Sequence, residues 1–141
     1  MKKKSKVEFY NGALVLRQSA DRYGARELWL GTVRLCLRLR EFIVLKVLCL
    51  LAVADYLAVP AMLDAIAAEG RRYLWRGRDV FQDPAPGDVH RLVAAIRKDL
   101  EAAGCTACVI ETNPRRDGGY RLHASRVILD LPWESSAPEQ R

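Results

Sequence analysis

Apolar and polar residues alternate in short runs near the start of the chain and later fall into a helical rhythm. Leu14-Val15-Leu16 follows the turn formers Asn11-Gly12, and Glu27 to Leu37 contains Leu28-Trp29-Leu30, Gly31-Thr32 and Val33-Arg34-Leu35-Cys36-Leu37. Alternation around turn formers predicts short antiparallel strands. A meander of three or four is expected, with Ser19-Ala20-Asp21-Arg22-Tyr23-Gly24 as a surface loop. From Leu39-Arg40-Glu41-Phe42 to about Ala54 so few positions are polar that a helix enclosed on most sides is predicted. A second helix is predicted over Val59 to Glu69, with Pro60 in its first turn, Met62, Leu63 and Ile66 on one face, and Gly70 as its stop.

Arg71 to Gly87 reads as a linker, aromatic at Tyr73-Leu74-Trp75 and turn-rich at Asp83-Pro84-Ala85-Pro86-Gly87. Asp88 is the expected N-cap of a third helix, because the prolines before it hinder an earlier start. Helical spacing gathers Val89, Leu92, Val93, Ile96 and Leu100 into an apolar stripe that should pack on the core. The opposite face carries Arg91, Ala94 and Lys98, with His90 and Arg97 on one flank. Such a face is either an ordinary solvated surface or one that enters a DNA groove, where a small residue permits close approach and arginine reads guanine or grips phosphate.

A hairpin should follow. Val109-Ile110-Glu111-Thr112 and Gly119-Tyr120-Arg121-Leu122-His123 are strand-like, and Asn113-Pro114-Arg115-Arg116-Asp117-Gly118 is a turn-rich tip. Arg115 and Arg116 are placed in solvent there, suited to phosphate contact, with a solubilising turn as the plainer alternative. Gly118-Gly119 is expected to supply positive φ or close packing, not a phosphate cradle, because no helix begins after it.

The chain of 141 residues has room for one core, so we expect a single domain over 7–130, a basic tail over 1–6 and a loose tail over 131–141. A net charge of +6 favours a polyanionic partner, and Lys2, Lys3, Lys4 and Lys6 would add nonspecific attraction. The apolar run around Phe42 to Ala54 is interrupted by Lys46 and followed by Asp55 and Pro60, so a buried helix is expected and no membrane span. A cytoplasmic location follows from the same reading. Cys36 and Cys49 sit in apolar patterns and are expected to be buried and reduced. Cys105-Thr106-Ala107-Cys108 is a lone CxxC after the helix stop Gly104; a zinc site would need two further ligands, and His90 and His123 stand apart with no metal-like spacing between them. No cofactor, no metal and no enzymatic activity are expected. Glu111 and His123 are conceivable as acid and base, but nothing in the sequence places them together.

The opening Leu39-Arg40-Glu41-Phe42, the helix end Ile96-Arg97-Lys98-Asp99-Leu100 and the hairpin Thr112 to Tyr120 together resemble the DNA-binding effector domain of OmpR/PhoB-type response regulators. The likeness covers about Glu27 to Leu122. It implies an α+β winged helix-turn-helix fold: an N-terminal antiparallel β-meander, three helices and a C-terminal β-hairpin wing. The implied function is bacterial, sequence-specific transcription regulation on double-stranded DNA. A recognition helix over about 88–101 would enter the major groove through His90, Arg91, Ala94, Arg97 and Lys98. The wing, about 109–123, would place Arg115 and Arg116 on backbone or minor groove, with Tyr120 and Arg121 in support. A homodimer is implied as well, and the transcription machinery or a signalling protein as partner.

Two departures stand out. The spacer from Asp88-Val89-His90 to Ile96-Arg97-Lys98 is longer than the family's, as is the wing, so only one end of the helix can be matched at a time. No receiver-like domain precedes the effector-like region, so a signal is expected to enter by another route. The competing reading is a winged-helix adaptor that binds protein through Tyr73-Leu74-Trp75.

Overall fold

A computed structural model describes residues 8–18, 25–73, 81 and 83–131. The fold is α+β, with three helices, a four-stranded sheet and a two-stranded hairpin among the described residues. The expected loop 19–24, Leu74 and Trp75 of the linker, the basic tail and nearly all of the C-terminal tail lie outside them.

Strands β1 (Ala13–Gln18), β2 (Arg26–Leu30) and β3 (Val33–Cys36) form the antiparallel meander. Alternation turns Leu14, Leu16, Leu28 and Leu30 inward, each nearly inaccessible to solvent. It also corrects one expectation, for Cys36 is exposed. Period two places it on the face of Arg34, whose guanidinium donates to the Cys36 thiol at 3.5 Å, while Leu35 and Leu37 turn toward the core.

A further strand, β6 (Arg126–Asp130), completes the sheet in the order β3-β2-β1-β6 and runs parallel to β1. The sequence pattern led to no expectation of a strand here. Arg17 and Asp130 pair across this seam at 3.4 Å, and Leu131, expected in the loose tail, is buried in the core.

Helix α1 (Leu39–Leu51) is the spine, with every residue from Glu41 to Cys49 buried. Glu41 reaches back to accept the Arg38 N–H at 3.1 Å, satisfying a donor of the first turn. The helix ends before Ala54, where the Ala52 carbonyl accepts from Leu122 N–H at 2.8 Å. Buried Lys46 meets Glu69 of α2 (Val59–Gly70) at 2.8 Å and lies 5.6 Å from the Tyr73 ring. No helix of the described residues is long and apolar enough to cross a membrane.

Helix α3 spans Pro86–Ala102. Asp88 is not its N-cap, as expected from sequence, but lies in its first turn and accepts the Ala85 N–H at 2.8 Å. Pro86 does not delay the helix; it occupies the first helical position, where a missing N–H costs nothing and a fixed φ is already helical. At the other end Gly104 adopts φ +99°, and Cys105 N–H donates to the Leu100 carbonyl at 2.9 Å, a left-handed cap that turns the chain toward the hairpin.

Candidate nucleic-acid interface

The buried stripe of α3 is the expected one: Val89, Val93, Ile96 and Leu100 lie in the core, with Leu92 packed against it. This leaves His90, Arg91, Ala94, Arg97 and Lys98 exposed on the other side, together with the carboxylate of Glu101. Arg91 is ion-paired with Asp88 one turn back, its side chain still 74% exposed. Ala94 and Lys98 extend the same open surface.

Strands β4 (Ile110–Thr112) and β5 (Tyr120–Leu122) make the hairpin, with Glu111 opposite Arg121 and Thr112 opposite Tyr120. Its tip turns through Asp117 at φ +56°, and Arg115 and Arg116 stand in solvent. The other edge of β5 pairs with Leu57, ahead of α2: Leu57 N–H donates to Tyr120 O at 2.9 Å and Tyr120 N–H to Leu57 O at 3.2 Å. Gly119 makes this approach possible, since it sits at φ +84° and a Cβ there would lie 1.7 Å from the Leu57 carbonyl oxygen.

Four of the residues assigned to DNA from the sequence are occupied within the chain. Arg97 donates through Nε and Nη2 to the Ile110 carbonyl at 3.3 and 2.8 Å, and through Nη2 to Thr112 Oγ1 at 2.6 Å. Its guanidinium carbon lies 5.6 Å from the Tyr120 ring centroid. Tyr120 is itself buried, with its hydroxyl hydrogen-bonded to His90 Nδ1. Arg121 grips Glu111 through Nε and Nη2 at 3.2 and 2.7 Å and covers Tyr56 at 4.3 Å. Of the remaining cations in the sequence-derived set, Lys98, Arg115 and Arg116 stand open in solvent, and Arg91 is exposed but ion-paired with Asp88.

Glu111 and His123, which nothing in the sequence brought together, meet at 2.7 Å. They do so because both belong to the hairpin and its immediate continuation. Hydrogen bonds from Arg121, His123 and Tyr56 hold the Glu111 carboxyl down at about 2. A carboxylate so committed is a weak proton acceptor near neutral pH, and its role is to join strands to the loop before α2. Phe9 stacks on His123 with ring centres 4.1 Å apart, drawing the N-terminal segment onto the same cluster.

The CxxC pair is similarly built into the backbone. Cys108 N–H donates to Glu8 O at 2.7 Å and Tyr10 N–H to Cys108 O at 2.9 Å, so this cysteine carries a bridge between the N-terminal segment and the hairpin. Partial burial raises the Cys108 thiol pKa. Among the described residues no three His, Cys, Asp or Glu side chains are grouped to hold a metal ion. Of the aromatic segment considered as an adaptor surface, Tyr73 is buried against Phe42, with ring centres 6.0 Å apart. No family model, no curated protein and no solved structure matches this chain.

Proposed function

We propose that the chain is a winged helix-turn-helix protein that binds double-stranded DNA and regulates transcription, with α3 in the major groove and the β4–β5 hairpin as its wing. The observation that carries this reading is the union of an exposed basic helix face, Arg91, Ala94 and Lys98, with a hairpin fastened to that helix and tipped by exposed Arg115 and Arg116. A helix fits the major groove, and cations at a hairpin tip suit the phosphates beside it. The Leu57 bridge supports the same reading, because it ties the hairpin to the start of α2 and so to the helical unit.

The arrangement also suggests a division of labour. Lys98, and Arg91 from its exposed ion pair with Asp88, face outward to meet base edges or phosphates, Ala94 keeps the centre of the face shallow, and the tip arginines supply sequence-independent affinity. Glu101 would repel phosphate, which places the C-terminal end of α3 away from the backbone. Selection from a random duplex pool tests the proposal: enrichment of a defined motif, competed by that motif and not by a scrambled duplex, is the expected result. Failure to retain any duplex at low salt would defeat it.

A further inference from the structure

We infer that Arg97 is a positioning residue, locking the hairpin to α3 so that the helix face and the hairpin tip meet a duplex as one rigid surface; this rests on the DNA-binding reading above. The guanidinium edge formed by Nε and Nη2, the fork that would grip a guanine or a phosphate, is turned onto the protein's own Ile110 carbonyl. The same Nη2 reaches Thr112 Oγ1, and the planar group covers the ring of Tyr120. Arg97 thus touches both strands of the hairpin from one side chain, while His90, two turns earlier on α3, is hydrogen-bonded to the Tyr120 hydroxyl.

The hairpin needs such a clasp. Its strands are three residues each, and a lone hairpin of that size is marginal in water. Backbone bonds to the domain run along the β5 edge, from Leu57 and Ala52 to β5 and from Val59 N–H to the Asp117 carbonyl at the tip. Those bonds hold β5, and the β4 strand is held to α3 by the side chain of Arg97, which reaches it at the Ile110 carbonyl and at Thr112 Oγ1. Only arginine has the planar fork for this; a lysine would keep the charge and lose the paired donors.

A double-mutant cycle on duplex affinity separates positioning from direct contact, using Arg97→Ala, the pair Arg115→Ala with Arg116→Ala, and all three together. If Arg97 positions the tip, its removal alone should lower the salt slope by about 2, the contribution of two phosphate contacts, although both tip arginines remain. It should then add little in the tip-less background, and Arg97→Lys should fail to rescue. Losses that multiply, or a rescue by Arg97→Lys, overturn the inference and leave DNA binding standing. Should Arg97→Ala fail to fold, Thr112→Val removes one acceptor without touching charge and must lower the salt slope in the same direction; an unchanged slope overturns the clasp. A wild-type protein that binds no duplex defeats the DNA reading and the inference with it.

Discussion

Gly119 and Leu57 face each other so closely that the Leu57 carbonyl oxygen occupies the place of any side chain at Gly119, 1.7 Å from where a Cβ would be. With φ at +84°, alanine at this position would be strained even in open space. Gly119→Ala should therefore cost roughly 2 kcal/mol or more and free the outer edge of the hairpin. Amide exchange reads this directly. Protection at Leu57 and Tyr120, whose N–H groups form the bridge, should fall well before protection in α1; equal loss across both would show that the bridge is not a local joint.

Why this joint was only partly legible follows from what sequence patterns carry. Gly118-Gly119 announced positive φ or close packing, and the packing partner, Leu57, lay far away in sequence. The same limit applies to Arg97: helical spacing turned it outward, and the hairpin then supplied its acceptors. Strand β6 was missed although Val127-Ile128-Leu129 is strand-like, because its parallel partner β1 is at the opposite end of the chain. The Glu111 cluster had a readable signal in the hairpin register, which sets Glu111 opposite Arg121 and one step diagonal from His123. Local rhythm was enough for the helices and the meander. The occupied or open state of each cation needed tertiary contacts.

The Glu111 cluster should make itself felt in acid. Its carboxyl pKa is lowered in the fold to about 2 from an ordinary value of 4.5, so the unfolded chain takes up the proton first as pH falls. The stabilisation is complete above the unfolded value and is lost on the way down to about 2. Glu111→Gln should lower stability by about 1 kcal/mol at pH 7, and the gap to wild type should close between pH 5 and pH 2.5. Urea unfolding at several pH values checks this; a gap independent of pH would assign the loss to packing.

Lys46 and Glu69 join α1 to α2 with almost no solvent around the ammonium group. Removing the carboxylate with Glu69→Ala should cost about 3–5 kcal/mol, since a buried charge loses its counter-charge. Lys46→Met combined with Glu69→Leu should recover most of that loss. Thermal unfolding of both variants decides the matter, and a double variant as unstable as the single one would show that the pair shapes the interface beyond its charge.

The cysteines should divide by accessibility. Cys36 is exposed beside Arg34, Cys105 and Cys108 are half-buried, and burial drives the Cys49 thiol up to about 12. A disulfide reagent at pH 8 should therefore modify Cys36 first and Cys49 only upon unfolding. Mass mapping of the modified peptides tests the order. Early modification of Cys49 would mean that α1 opens in the native state.

The open cations should fall into two kinds if the chain reads DNA. Arg115 and Arg116 lie at a hairpin tip with no base-reading element beside them, so alanine at both should weaken binding to every duplex and lower the salt slope by about 2. Arg91 is different, because Asp88 holds its guanidinium over the first turn of α3, where recognition helices approach base edges. Arg91→Ala should cost about 1–3 kcal/mol on the selected motif and much less on unrelated duplex, flattening discrimination at one base pair. Asp88→Ala should leave the charge of Arg91 in place but release its orientation, reducing discrimination while the salt slope stays the same. Titrations of each variant against matched and mismatched duplexes at several salt concentrations separate these outcomes; a uniform loss from Arg91→Ala would reassign it to phosphate.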